Sequence, residues 1–172
     1  QQQEASKSLA MITKGYLPMA KIVGRLDQDR ERIDQEIRQI LQEPSVNLRG
    51  KGLTAYLYTK EIKQNIAVGR IHAKYAGQLS DNEKDTYTFH TILTRLDRID
   101  KSFTAYAQES KILIALAERD MTEKAVDQLK QQERRSYEMS EQLSALNHDL
   151  DSRVATLTIT TERMQERATM VA

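Results

Sequence analysis

Residues 89–117 read FHTILTRLDRIDKSFTAYAQESKILIALA, and the reading of this stretch decides the fold. Phe89, Ile92, Leu96, Ile99, Phe103, Tyr106, Ser110, Leu113 and Ala117 follow one another in steps of three and four. That spacing keeps side chains on one face of an α-helix, whereas a half-buried strand would alternate in steps of two. An amphipathic helix of this length has an apolar stripe to bury, so it needs partner helices.

The partners lie on both sides. Upstream, Ser80-Asp81-Asn82-Glu83 supplies a turn and a cap, because a Ser or Asp oxygen can accept the free amides of the next helix. Before it, a seam of Ala55, Tyr58, Ile62, Ile66, Gly69, His72, Ala76 and Leu79 marks a helix with smaller and more polar core residues. Downstream, Arg119-Asp120-Met121-Thr122 forms a break with Thr122 as cap. The last helix then repeats Leu129, Ser136, Leu143, Leu150, Leu157, Met164 and Val171 at every seventh position. Its companion seam passes from Met139 and Leu146 to Val154, Thr161 and Ala168, a change of step that predicts weak supercoiling.

At the other extreme, Leu9, Ile12, Tyr16, Met19, Val23, Leu26, Ile33, Ile37 and Ile40 form the seam of the first helix. Pro18 removes one helical hydrogen bond, so a kink or break is expected near Gly15. Pro44 and the turn-rich stretch from Glu43 to Gly52 read as a loop. The expected helices thus cover about 4–42, 53–79, 83–119 and 122–172, in one domain spanning residues 1–172. The fold class is all-α: an antiparallel up-down-up-down four-helix bundle with long first and last helices. At 1.5 Å per residue the last helix spans roughly 75 Å and should extend past the bundle at the end that carries both termini.

Composition narrows the function. The chain has 172 residues, 26 basic and 25 acidic, a balance that argues against a nucleic-acid binder. It has no cysteine, which removes disulfides, thiolate metal sites and a cysteine nucleophile, and is compatible with an oxidising compartment. None of the histidines His72, His90 and His148 follows an acid by three residues, so the Glu-x-x-His pair of di-iron bundles is missing. There is no phosphate-binding or nucleophile motif. We expect no catalytic activity, metal or cofactor from this chain. The opening Gln1-Gln2-Gln3 and a helical pattern still running at Ala172 read as an excised fragment.

Polar exceptions in the seams are the best site candidates. Arg30 stands between Val23 and Ile37; counted from the end opposite the termini, Asn65, Tyr106, Ser110, Gln132 and Ser136 fall at the same level. A buried arginine needs partners, so such a layer either fixes helix register or lines a pocket for a small anion or polar ligand. Arg134, Arg135, Tyr56 and Tyr58 are within reach of this level.

Tyr16-Leu17-Pro18-Met19-Ala20 in the first helix, and Ala115-Leu116-Ala117-Glu118-Arg119-Asp120 before a long last helix, give the chain a family resemblance. It resembles the four-helix-bundle sensor domains of bacterial transmembrane receptors, both sensor histidine kinases and methyl-accepting chemoreceptors. The resemblance implies a periplasmic domain of an inner-membrane protein, between flanking transmembrane helices. It further implies a homodimer in the full-length receptor and a small ligand or periplasmic partner protein bound in the half far from the membrane. The arginine spacing of the aspartate-type chemoreceptors is missing, so no amino-acid ligand is carried over. The segment from Ser144 to Arg153 is also similar to the phospho-accepting helix of histidine kinases. Asp151 and Arg153 replace the basic residue and proline of that pattern, and His148 reads as part of a solvated face. A cytosolic helical scaffold or coiled-coil adaptor is the alternative from a different class.

Overall fold

The computed structural model describes residues 2–42 and 48–171. They form α1 (Gln2–Ala10), a π-helical turn (Met11–Tyr16), α2 (Leu17–Gln42), α3 (Leu48–Gln78), α4 (Glu83–Glu118) and α5 (Thr122–Val171). α1, the π turn and α2 are contiguous and act as one rod, so the molecule is a bundle of four rods. Each rod packs on its two neighbours and α2 barely reaches α4 across the diagonal. Paired residues run in opposite order on adjacent rods: Lys63 and Arg70 on α3 meet Asp100 and Asp97 on α4, and Glu109 and Arg95 on α4 meet Arg135 and Asp149 on α5. The arrangement is the antiparallel up-down-up-down bundle that the periodicity implies.

The core follows the seams. Ile33, Ile37, Ile62, Ile66, Ile92, Leu96, Ile99, Phe103, Leu143, Leu146 and Leu150 form one buried cluster. Each such side chain contributes about 1.5–3 kcal/mol by leaving water. At the turn before α4, Asn82 Oδ1 accepts the amide of Asp85 at 2.9 Å while Asn82 Nδ2 donates to the Asp85 carboxylate, a reciprocal cap. α4 ends with Asp120 at φ 56, and the amides of Asp120 and Met121 close back on the carbonyls of Ala117 and Leu116.

Several expectations are sharpened or corrected. The irregularity expected near Gly15 is a π turn rather than a break: the first rod accommodates the missing Pro18 donor there, and Leu17 has ordinary helical dihedrals. The extra residue in that turn rotates the upstream face, so Leu9, expected in the core, is 49% exposed while Met11 is 2% exposed. Gly15 lies within the turn, and a Cβ there would stand 2.8 Å from that of Ala76, so the missing side chain lets the first rod approach α3 closely. Second, α3 starts at Leu48 rather than 53; only residues 43–47 of the expected loop lie outside the described residues. Third, the companion seam of α5 takes in Arg153, which is buried, beside Val154, which is partly buried and packed against the core. Last, Val171 is 86% exposed, so the heptad is not buried to its end. The last helix does pass the Ser80–Asn82 turn, but α1 goes with it: Ala5, Ser6 and Leu9 share a cleft with Met164, Gln165, Ala168 and Thr169.

Candidate functional site

Arg30 sits on α2, three turns before its end, with the residue only 9% exposed. Its guanidinium is held on several sides. Nε and Nη2 donate to Asp27 Oδ1 at 3.0 Å, and Nη1 donates to Asp34 Oδ2 at 3.2 Å and to Ser136 Oγ at 2.7 Å. The Ser136 hydroxyl in turn donates to Asp34 Oδ2, and the Tyr106 hydroxyl donates to Asp34 Oδ1 at 2.5 Å. Asp34 is therefore the hub that joins α2, α4 and α5. Ser110 and Gln132 extend the layer: Gln132 Nε2 donates to Ser110 Oγ at 2.5 Å, and that hydroxyl donates to the Tyr106 carbonyl at 2.8 Å.

The sequence-predicted residues Arg30, Tyr106, Ser110, Gln132 and Ser136 are thus brought together. Asn65 is not joined to them: its Nδ2 is buried without a hydrogen-bond partner, as is Gln132 Oε1. Arg134 is exposed, and Arg135 reaches the Glu109 carboxylate at 2.6 Å. Tyr58 is half-buried with the Arg32 guanidinium 5.6 Å above its ring. The residues that sequence reasoning missed are Asp27 and Asp34. They stand three before and four after Arg30, the positions that share its helix face, so the signal was available.

The electrostatics decide what the layer can accept. One guanidinium faces two bonded carboxylates, with Glu31 Oε1 a further 3.8 Å contact. An added anion would have to displace an aspartate from Arg30. Burial, and then the Asp34 charge, push the Tyr106 hydroxyl far above its usual pKa, so it stays a donor throughout the range in which proteins are folded. Around Arg30 and Asp34 the layer is a hydrogen-bond network that ties three rods to one register, and Gln132 Oε1 is the buried acceptor it leaves without a partner.

The histidines serve structure or face solvent. His72 Nδ1–H donates to the Lys14 carbonyl at 3.0 Å, and His90 and His148 are exposed. Among the described residues there is no cluster of His, Asp and Glu that could hold a metal, and no helix long and apolar enough to cross a membrane. Comparison with protein-family models, with curated proteins and with solved structures returns no match, so the chain's own geometry carries the functional reading.

Proposed function

We propose that this chain is the signal-sensing domain of a transmembrane receptor, extracytoplasmic and periplasmic, with a two-component histidine kinase as the parent. The observation that carries this reading is the partnership of the first and last rods. α1 and α5 run side by side past the Ser80–Asn82 turn, so one end of the bundle presents just these two helices. A change of packing anywhere along α2 or α5 moves one of them relative to the other, which is the displacement a membrane receptor transmits. The π turn and Pro18 lie on that path, between the polar layer and the α1 end. The polar layer supports the reading in a second way: a network that spans α2, α4 and α5 through Asp34 couples the rods that would have to move together.

The reading is tested by topology. The chain contains no cysteine, so Glu118→Cys, on the exposed end of α4, provides a single labelling point in a parent protein free of other cysteines. A membrane-impermeant maleimide should label it in intact cells. Labelling only after lysis would put the domain in the cytosol and favour a helical scaffold.

A further inference from the structure

α3 ends at Gln78 and α4 begins at Glu83, so the Ser80–Asn82 turn closes the four-rod body on one side. Past that turn α1 packs on α5, with no comparable packing on α3 or α4 among the described residues. Lys7 reaches Asp81 of the turn at 3.4 Å, but both side chains are half exposed, and such a pair contributes little. Just inside the boundary α5 is tied to the body by buried Arg153, whose Nη2 donates to Asp85 in the first turn of α4. The molecule is thus a four-rod body that carries a two-rod neck.

Both rods of the neck are built weakly where they leave the body. On the first rod the weak segment is the π turn Met11–Tyr16, where the Leu17 amide reaches back five residues to the Ile12 carbonyl. Within it the Thr13 hydroxyl donates to the Leu9 carbonyl at 2.9 Å and competes with the backbone ladder. On α5 the weak segment is 154–161, VATLTITT, in which six of eight side chains are β-branched and lower the helix propensity. Thr156, Thr158, Thr160 and Thr161 each donate a hydroxyl to the carbonyl four residues back, at 2.8–2.9 Å, a bonding that loosens and bends a helix.

The two segments meet. The π turn packs on α5, and its Met11 shares a cleft with Thr156, Leu157 and Thr160. One weak stretch in one helix would only bend or fray it. Two side by side, at the level where the other two rods stop, form a single transverse plane.

We propose that this plane is a hinge, about which the α1–α5 neck tilts as a unit against the four-rod body. A tilt of about 20°, common at a π-bulge, swings Glu166 by about 4 Å, since it lies eight residues or roughly 12 Å beyond Thr158. A tilt in the plane of the two helices also moves their ends in opposite directions along the bundle axis. That is the motion a receptor would pass on, but the hinge is a property of the fold and stands without the receptor reading.

The chain has no cysteine, so introduced pairs carry spin labels without background. Lys74→Cys on α3 is combined in turn with Glu166→Cys on α5, with Glu4→Cys on α1 and, as a reference inside the body, with Lys130→Cys, all at exposed positions. Double electron–electron resonance on the 172-residue chain should give Glu166 and Glu4 distance distributions broader than the reference by about 4 Å. Thr156→Ala with Thr158→Ala removes two β-branches and two hydroxyl bonds at exposed positions and strengthens the helix. The double variant should narrow both neck distributions toward the reference, including that of the α1 label on the other rod. Neck distributions as narrow as the reference would overturn the proposal. A broad Glu166 distribution beside a narrow Glu4 one would mean that the end of α5 frays alone. Broad distributions unmoved by the alanine pair would mean that the threonine run is not the pivot, and either result overturns the hinge.

Discussion

Asp34 accepts hydrogen bonds from three side chains that come from three different rods, and each donor has a different consequence if lost. Removing Arg30 would leave two carboxylates facing each other; removing Ser136 would leave Arg30 and Asp34 in contact but poorly aligned. The Tyr106 hydroxyl is the cleanest to test, because phenylalanine keeps the ring that packs 5.6 Å from Phe103. Tyr106→Phe should cost about 1.5 kcal/mol, the worth of a hydrogen bond to a charged acceptor, with no change in the urea m-value. A loss near zero would mean that Asp34 is fully satisfied by Arg30 and Ser136 and that the tyrosine is placed by its ring. Single residues are also where the sequence was hardest to read. The exceptions Arg30, Tyr106, Ser110, Gln132 and Ser136 were visible because each interrupts an apolar seam. Asp34 was overlooked although its spacing of four from Arg30 was readable, because an acid beside a seam looks like an ordinary surface residue. Arg153 was hidden differently. Val154, its neighbour, offered an apolar continuation of the seam, although the seven-residue step from Leu146 lands on the arginine.

The helices themselves were legible almost to their ends, since long apolar periodicity survives tertiary packing and the turn before α4 was written in Ser80-Asp81-Asn82-Glu83; the cap there is Asn82 rather than the serine or the aspartate, and Thr122, expected as a cap, is the first residue of α5. The π turn was not legible. Pro18 announces that a donor is missing, but the chain can answer with a break, a kink or an inserted residue, and the choice depends on what lies opposite. Here His72 from α3 lies opposite. Its Nδ1–H takes the Lys14 carbonyl, the group that an amide at position 18 would reach in an α-helix. This makes a coupled pair across two rods, and a double-mutant cycle reads the coupling. His72→Ala alone should cost about 1 kcal/mol by leaving that carbonyl without its donor. In a Pro18→Ala background the restored amide can serve Lys14 itself, and the same histidine substitution should then cost close to nothing beyond its packing. Additive losses would show that the histidine contact is incidental and that the π turn is set by the close approach of Gly15 to Ala76.

At the scale of the whole molecule, near-neutral charge conceals an uneven distribution of carboxylates. Asp100, between α3 and α4, is pushed up by burial, but hydrogen bonds and charge from Lys63 and Arg70 outweigh that and hold its pKa below the ordinary 3.8. Its stabilisation is present above that value and disappears as pH falls through the lower native pKa. Asp29, on α2, is the opposite case. It is 3% exposed, its Oδ2 has no hydrogen-bond partner, and Arg32 approaches its other oxygen no closer than 3.7 Å. Burial raises its pKa above 3.8, the charge of Glu61 raises it further, and Arg32 and Arg25 only partly offset them. Between 3.8 and that raised value the native state holds more protons than the unfolded chain, so stability falls with increasing pH across the window and the penalty persists at neutrality. Unfolding measured from about pH 8 to about pH 3 should therefore show stability rising on mild acidification, then falling once carboxylates such as Asp100 protonate. Asp29→Asn should be more stable than the parent at neutral pH, should lose the rise, and should keep the fall at acid pH. If the substitution instead lowers stability at neutral pH and leaves the profile unchanged, the Arg32 and Arg25 charges outweigh burial at this position, and Asp29 supports the α2–α3 contact in its ionised form.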